Sequence, residues 1–564
     1  MGILVGSNGT TARKLAGALT LLCLFALSAG PASAAKKPLP GPAPVANDAL
    51  TRALARGQLT PAAYALERAR SLFRLGAVRR EFGDVDRPDP HAATLILRDL
   101  ALRVRDLPTS ERRQAGALLA RPSDGPGPDE DDPWHASESS ASPVCDANIC
   151  MHWVDSTADA PPAADGDAND VPDWVEDVVQ PTFANVWAKE IGPPPGGLGN
   201  PPPLSDLSSD NNGGDARLDV YLANLGDDFL FGYCTSDDPN LFDPGYDFLA
   251  FSSYCVIDDD FAEFGAEWTP AQFNQVVAAH EFRHASQFSE DFAEDLWLME
   301  GEAMWIEGYV YPAVKDRYDY LETSPLVHPT FSLDHGTDFY EYGAWIFFQF
   351  LSENFDVALI RDIWNRADDN GSNPNQYSMQ AVSNALSART TSLRSAFMTF
   401  TKWNRTPDRS GYYDEGADYP SAPTGAAYKL GRGGTTGWKA PKLRHLASSY
   451  YSFSPGSSLS STAKLKVAVD LPALRYKPAA FLLSFLKSGD YQVHSISLNG
   501  SGDGYRKVSF GRGVVSRVDL VLVNASARYD LSTCWDNPRH TTYSCGGAVA
   551  KDELRFYRFK SSIR

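Results

Sequence analysis

Ala279-His280-Glu281-Phe282-Arg283-His284 and, further on, Trp297-Leu298-Met299-Glu300-Gly301-Glu302-Ala303-Met304-Trp305-Ile306-Glu307 decide how this chain is read. The first stretch carries the H-E-x-x-H pattern. On a helix, His280 and His284 project from one face and can hold one zinc ion. Glu281 stands one step round, placed to serve as a general base beside that ion. Thr269-Pro270-Ala271-Gln272 opens the helix with a capping hydroxyl, a proline at the first position and a glutamine three residues after the cap. Phe273, Val276, Val277, His280 and His284 follow at helical spacing, so the histidine face is also the buried face. The competing reading is a pair of core histidines on an apolar helix.

Three carboxylates of the second stretch compete to be the third ligand. If the stretch is one helix, successive residues rotate by about 100°. Glu302 then points roughly 200° away from Glu300, and Glu307 returns to its face about 10 Å along the axis. One of Glu300 and Glu307 can bind; the other can at most orient a histidine from behind. Spacing does not choose between them.

The E-G-x-A-x-W-x-E pattern resembles the gluzincin metallopeptidases, whose M1 aminopeptidase branch carries a similar acidic-Gly-x-Ala-x-aromatic segment. The resemblance makes Glu300 the third ligand and leaves Glu307 behind a histidine, with Gly301 permitting close approach to the zinc helix. Fifteen residues separate His284 from Glu300, a shorter gap than in the aminopeptidases, so the helix connection must differ. A metzincin would carry Gly at 287 and His at 290, where this chain has Gln287 and Glu290. Phe339-Tyr340-Glu341-Tyr342-Gly343 opens an aromatic helix through Phe350. Its Y-x-x-G is similar to the family segment whose tyrosine stabilises the transition state, which points to Tyr340, with Tyr342 the nearest rival. The resemblance covers roughly residues 270 to 355. It implies a hydrolase of peptide or protein substrates with one catalytic zinc, Glu281 as base and Tyr340 as oxyanion donor. A surface protein that keeps the zinc fold without catalysis and binds a polysaccharide or a protein is the alternative, and the intact Glu281 argues against it. His328 and His335 are spare loop histidines.

The chain has 564 residues, enough for about two to four domains. Its net charge of −20 argues against nucleic acid and anionic membrane as partners and is compatible with calcium and an extracellular medium. Residues 1–34 read as a secretory signal: Arg13 and Lys14, an apolar run from Leu15 to Leu27, then Ala32-Ser33-Ala34. That run is too short to span a membrane, and no later stretch is long and apolar enough. Export to the periplasm or medium follows. Six cysteines then remain, and an even number in an exported chain suggests disulfides. They fall in three close pairs: Cys145–Cys150, Cys234–Cys255 and Cys534–Cys545.

Residues 35–140 read as a helical propeptide and linker, or as a small independent helical domain. Thr60-Pro61 caps a stripe of Ala65, Leu66, Ala69, Leu72 and Phe73; Leu95 to Val104 continues in kind; an acidic Pro/Gly stretch from Pro122 to Asp132 ends it. A metallopeptidase domain is expected over 141–436. Within it Asp165, Asp167, Asn169, Asp173 and Glu176 stand at calcium-loop spacing ahead of a helix at Trp174. Asp170 and Pro172 exclude a standard EF-hand, so the choice is a related structural calcium loop or an acidic turn. Ala216–Leu222 and Tyr246–Ile257 read as strands; the resemblance implies that the second, just before the zinc helix, is a place for an extended peptide to pair, the alternative being plain sheet core. Over 437–564, alternation at Leu465–Val469, His494–Leu498 and Leu554–Phe556, and the apolar run Arg517–Val523, indicate an all-β sandwich. The fold class is therefore multidomain α+β.

Overall fold

The computed structural model describes residues 48–124, 134, 140–241, 243, 248–369, 376–527 and 554–564. The signal reading, the acidic stretch after Asp124 and the pair Cys534 and Cys545 lie outside the described residues. The chain is a mixed helix and sheet protein with several small sheets.

Helices α1 (Ala49–Ala55), α2 (Pro61–Phe73), α3 (Leu75–Phe82), α4 (Ala93–Arg103) and α5 (Thr109–Leu118) form the N-terminal segment. Thr60 caps α2 by accepting from the Ala63 N–H at 3.1 Å. The apolar stripes of α2 and α4 join the largest core of the molecule. Arg121, buried, closes this segment with ion pairs to Asp206 at 2.6 Å, Asp237 at 2.7 Å and Asp219.

Strands β1 (Val144–Cys145), β2 (Ile149–His152), β3 (Leu218–Ala223), β4 (Gly232–Thr235) and β5 (Tyr254–Asp258) make one sheet in the order β1-β2-β3-β5-β4. β2, β3 and β5 run parallel, and β4 lies antiparallel at the edge. The disulfide Cys145–Cys150 joins β1 to β2, and Cys234–Cys255 joins β4 to β5. Of the described part of the strand expected at 246–257, Tyr254–Ile257 lie in β5, which is interior; the edge belongs to β4. α6 (Gln180–Glu190), α7 (Pro270–Phe288) and α8 (Leu296–Val310) pack together, with α7 also against β4 and β5.

α9 (Tyr340–Gly343), α10 (Trp345–Asn354), α11 (Ala358–Ala367), α12 (Met379–Ala388) and α13 (Leu393–Arg405) complete the helical body. The single aromatic helix expected from Phe339 to Phe350 is broken at Ala344 into α9 and α10. Among the remaining strands, β6 (Ala426–Leu430), β7 (Lys442–Leu443), β8 (Ala447–Pro455), β9 (Lys464–Asp470), β10 (Pro478–Leu486), β11 (Tyr491–Ser495), β12 (Asp503–Ser509), β13 (Val515–Asn524), β14 (Arg555–Phe556) and β15 (Arg558–Ile563) follow. They form a five-stranded sheet β11-β10-β13-β8-β6, a three-stranded sheet β12-β9-β15 and the pair β14-β7. β6 pairs with β8, so the strand-rich part begins before residue 437. Side chains of the two larger sheets meet in a second core.

Candidate metal centre

α7 begins as its sequence dictates. Thr269 Oγ1 accepts from the Gln272 N–H at 3.3 Å, and Gln272 Oε1 accepts from the Thr269 N–H at 3.0 Å, with Pro270 at the first turn. Every residue from Val276 to Phe288 is buried, so the helix runs through the core. α8 packs beside it and is likewise buried along almost its whole length.

These two helices bring His280, His284 and Glu300 together. Glu300 Oε2 lies 3.2 Å from His280 Nε2 and 3.5 Å from His284 Nε2. Ligand atoms bound tetrahedrally to one zinc at about 2.0–2.1 Å stand about 3.3 Å apart, so this spacing fits the ion. Burial pushes the Glu300 carboxyl up, but the hydrogen bond with His280 and the adjacent His284 imidazole outweigh it and hold the group down at about 2. Burial likewise opposes charge on His280, and the hydrogen bonds with Glu300 and Glu307 raise it well above its usual range. His284 Nε2, Glu281 Oε1 and Glu307 Oε2 are buried without a hydrogen-bond partner. Two imidazoles and an ionised carboxylate, with orphaned polar atoms around them, form a donor set that suits zinc.

The other carboxylates separate as helix geometry requires. Glu307 Oε1 accepts from His280 Nδ1 at 2.7 Å, which turns Nε2 toward Glu300. His284 Nδ1 is held by Gln287 Oε1 at 2.8 Å. Glu302 points away, to Arg283 Nε at 2.6 Å and Gln287 Nε2 at 2.8 Å. Glu281 is buried and its affinity for a proton is raised by desolvation, partly offset by His280 and His284. Gly301 serves a contact other than the expected one: a Cβ there would meet Phe348 at 3.1 Å and Ala344 at 3.3 Å, so it admits α9 and α10, not α7.

The two candidate tyrosines lie in different surroundings. The Tyr340 hydroxyl donates to the His328 carbonyl at 3.4 Å and its ring packs on Phe331 and His335. The Tyr342 hydroxyl reaches Glu300 Oε1 at 3.4 Å. His328 stacks on Phe331, and His335 pairs with Thr337, so neither joins the centre.

In the acidic loop, Asp165 Oδ1 and Oδ2 accept from the N–H groups of Asn169 and Asp170, and Asp173 Oδ1 from Gly166. Asn169 Nδ2 donates to Asp167 at 3.3 Å and Glu176 at 3.0 Å. The five expected calcium residues are thus tied together, with Ala168 and Asp170 at positive φ. Among the described residues, the groups whose ligand atoms lie within 4.8 Å of one another are His280–His284–Glu300, His91–His280–Glu307, Cys150–His152–Asp219 and Asp258–Asp260–Glu263; the 165–176 loop is not one of them. His91 was missed in the sequence because nothing around Pro90-His91 marks it as a ligand.

No protein-family model matches the chain, and no curated protein matches it. Among solved structures it is similar to the pre-peptidase C-terminal domain of a collagenase from Bacillus anthracis, at 13% identity over 25% of this chain and 97% of that one, with a TM-score of 0.13. It is also similar to a family GH115 4-O-methyl-alpha-glucuronidase, BtGH115A, at 8% identity over 52% and 38% of the two chains, with a TM-score of 0.14. Likeness at that level carries no argument about fold or function. No helix among the described residues is long and apolar enough to cross a membrane.

Proposed function

We propose that the chain is an exported, zinc-dependent, gluzincin-like peptidase with a zincin-like domain over 141–436. The observation that carries this reading is the convergence of His280, His284 and Glu300 at tetrahedral-edge spacing, with Glu281 beside them. Bound there, zinc would act as a Lewis acid on the scissile carbonyl and lower the pKa of water. Glu307 and Gln287 fix the two imidazole tautomers. Glu281 takes the proton of the attacking water at Oε1, its unpartnered oxygen, and hands it to the leaving amine. Tyr342 donates its hydroxyl proton toward the developing oxyanion. Peptide or protein chains are the substrates this chemistry fits, and the two disulfides are compatible with an extracellular site of action.

The second reading, a zincin-fold binding protein without catalysis, is favoured by one observation: His280, Glu281, His284 and Glu300 are all fully buried. The test uses the purified protein, intact and after limited trypsin cleavage, on a peptide library with and without chelator. Cleavage abolished by chelator and absent from zinc-loaded Glu281→Gln is expected. Turnover by that variant would overturn the base assignment. Stoichiometric zinc without cleavage by either preparation would favour the binding protein.

A further inference from the structure

A cavity of about 520 Å³ opens between the end of α13 and the five-stranded sheet. Arg405, Asp408, Arg409 and Ser410 line it from the end of α13 and the turn that follows, Ser421 from the next loop, and Arg517 from β13. Arg517 of β13, Phe485 of β10 and Tyr491 of β11 stand directly opposite one another across three neighbouring strands. The Arg517 guanidinium lies over the Phe485 ring, 3.8 Å from its centre, and that of Arg409 over the Tyr491 ring at 4.0 Å. The two rings are 5.2 Å apart. An aromatic face holds a guanidinium in place and leaves its N–H edge for an anion. These arginines are not fully spent on the protein. Arg405 donates from Nε to Asp519 at 2.8 Å and from Nη1 to the Ala422 carbonyl at 2.7 Å. Arg517 reaches the same Asp519 through Nε alone, at 3.3 Å. Among the described residues, Arg409 and the exposed Asp408 are in no ion pair. Three guanidinium groups therefore stand against two carboxylates, one of them the buried Asp519, and the cavity is cationic on a chain whose net charge is −20.

We propose that this cavity binds an anionic saccharide, its acid group held by Arg409 and Arg517 and its hydroxyls by Asp408, Ser410 and Ser421. The volume is that of a small-ligand site. Two guanidinium groups on adjacent rings match the oxygens of one carboxylate or sulfate, which arginine binds by paired N–H donors. Asp408 separates a saccharide from other anions. A site for a bare anion, or for the carboxylates of an acidic peptide, gains nothing from a carboxylate of its own. A carboxylate beside the arginines serves a ligand that also carries hydroxyl donors. Phe485 is the one apolar residue of the lining, and Arg517 covers its ring, so an apolar ligand finds little to bury. The site is independent of the metal centre, since none of its residues belongs to a metal-ligating group among the described residues. It gives the C-terminal sheets a part in holding the chain at an acidic polysaccharide.

The test titrates the full chain by calorimetry with an oligomer of galacturonic acid and with a sulfated disaccharide. Chelator is present throughout, so that binding of either sugar to a metal ion drops out. Saturable binding of one or both is expected, and which of them binds identifies the acid group. A neutral galactose oligomer should not compete. Arg409→Ala should weaken binding by about tenfold or more, and Arg409→Lys should recover only part of the loss, because lysine keeps the charge without the paired donors. Asp408→Asn should also weaken the saccharide. In a site for a bare anion the same change removes a repulsion, so tighter binding by Asp408→Asn would overturn the proposal. So would no binding by wild type, unchanged affinity in Arg409→Ala, or a neutral oligomer bound as well as the acidic one. Inorganic phosphate or a glutamate peptide that displaces the saccharide at equal concentration would assign the cavity to a simple anion or to a protein partner, and would overturn it too. Should Arg409→Ala fail to fold, Asp408→Asn, at an exposed position, carries the test alone.

Discussion

The N-terminal helices and the C-terminal sheets both press on the helical body, and they do so in different ways. α2 and α4 merge their apolar faces with the core around α7 and α8, and α4 also sends polar groups into the metal centre. The five-stranded sheet offers only a face. Phe481 and Leu483 of β10 and Val521 and Val523 of β13 lie in the core of the helical body, while Leu482, Leu520 and Leu522 lie in the sheets' own core. Its ties to the body are structural pairs such as Arg405–Asp519 at 2.8 Å. No residue of these sheets belongs to a metal-ligating group among the described residues. One end of the chain thus touches the candidate centre, and the other packs on the body only through a sheet face. The predictions below test that division.

The largest effect is expected at α8. Glu300→Ala should lose most zinc and all hydrolysis, read as zinc per chain after dialysis. Glu307→Ala should weaken zinc by about 10–100-fold, the usual cost of removing a partner behind a ligating histidine. Glu302→Ala should keep zinc but lose stability by about 3–5 kcal/mol, because Arg283 is left buried with a broken pair. Stoichiometric zinc in Glu300→Ala would break the site model.

Next comes the tyrosine. Tyr342→Phe should lower kcat by about 10²–10³, as for loss of one oxyanion donor. Tyr340→Phe should stay near wild type in the same assay, since its hydroxyl serves only the His328 carbonyl. The reverse pattern would restore the assignment made from the sequence.

That exchange shows what the sequence could and could not convey. The capping box, the paired histidines and the rotation that separates Glu300, Glu302 and Glu307 are local helix geometry, and the structure reproduces each of them. Tyr340 follows from the Y-x-x-G resemblance, which carries no information on how the segment is turned. The chain instead enters α9 through Phe339 at φ 62° and breaks at Ala344, and that turn aims Tyr342 at Glu300. The same limit applies to strands. β9 shows plain alternation because one face is half open, whereas β13 reads as a continuous apolar run because both faces are covered. His91 and the edge strand β4 depend on which distant segments meet, and no local pattern carries that.

On the stability side, Asp519→Ala should destabilise the fold by about 3–5 kcal/mol. Asp519 is fully buried against Arg405 and Arg517, and its removal strands the Arg405 guanidinium. Zinc content should be unchanged in the folded fraction. Zinc lost in step with stability would blur the division between the two ends of the molecule.

The smallest effect is expected at the 165–176 loop, which belongs to neither end. It leads through the helical turn Trp174–Val179 into α6, and α6 packs on α7, so its order bears on the metal helix only at second hand. Asp165 and Asp173 spend their carboxylates on backbone N–H groups within the loop, which holds the turn without any ion. Asp167, exposed, and Glu176, half-buried, engage only the Asn169 amide, leaving acceptor capacity for a hard cation. We therefore expect millimolar calcium to raise the melting temperature by about one degree, about 1 kcal/mol at this chain length. Asp167→Ala should remove that increment while leaving zinc content untouched. Melting that ignores calcium in wild type would make the loop a self-sufficient acidic turn.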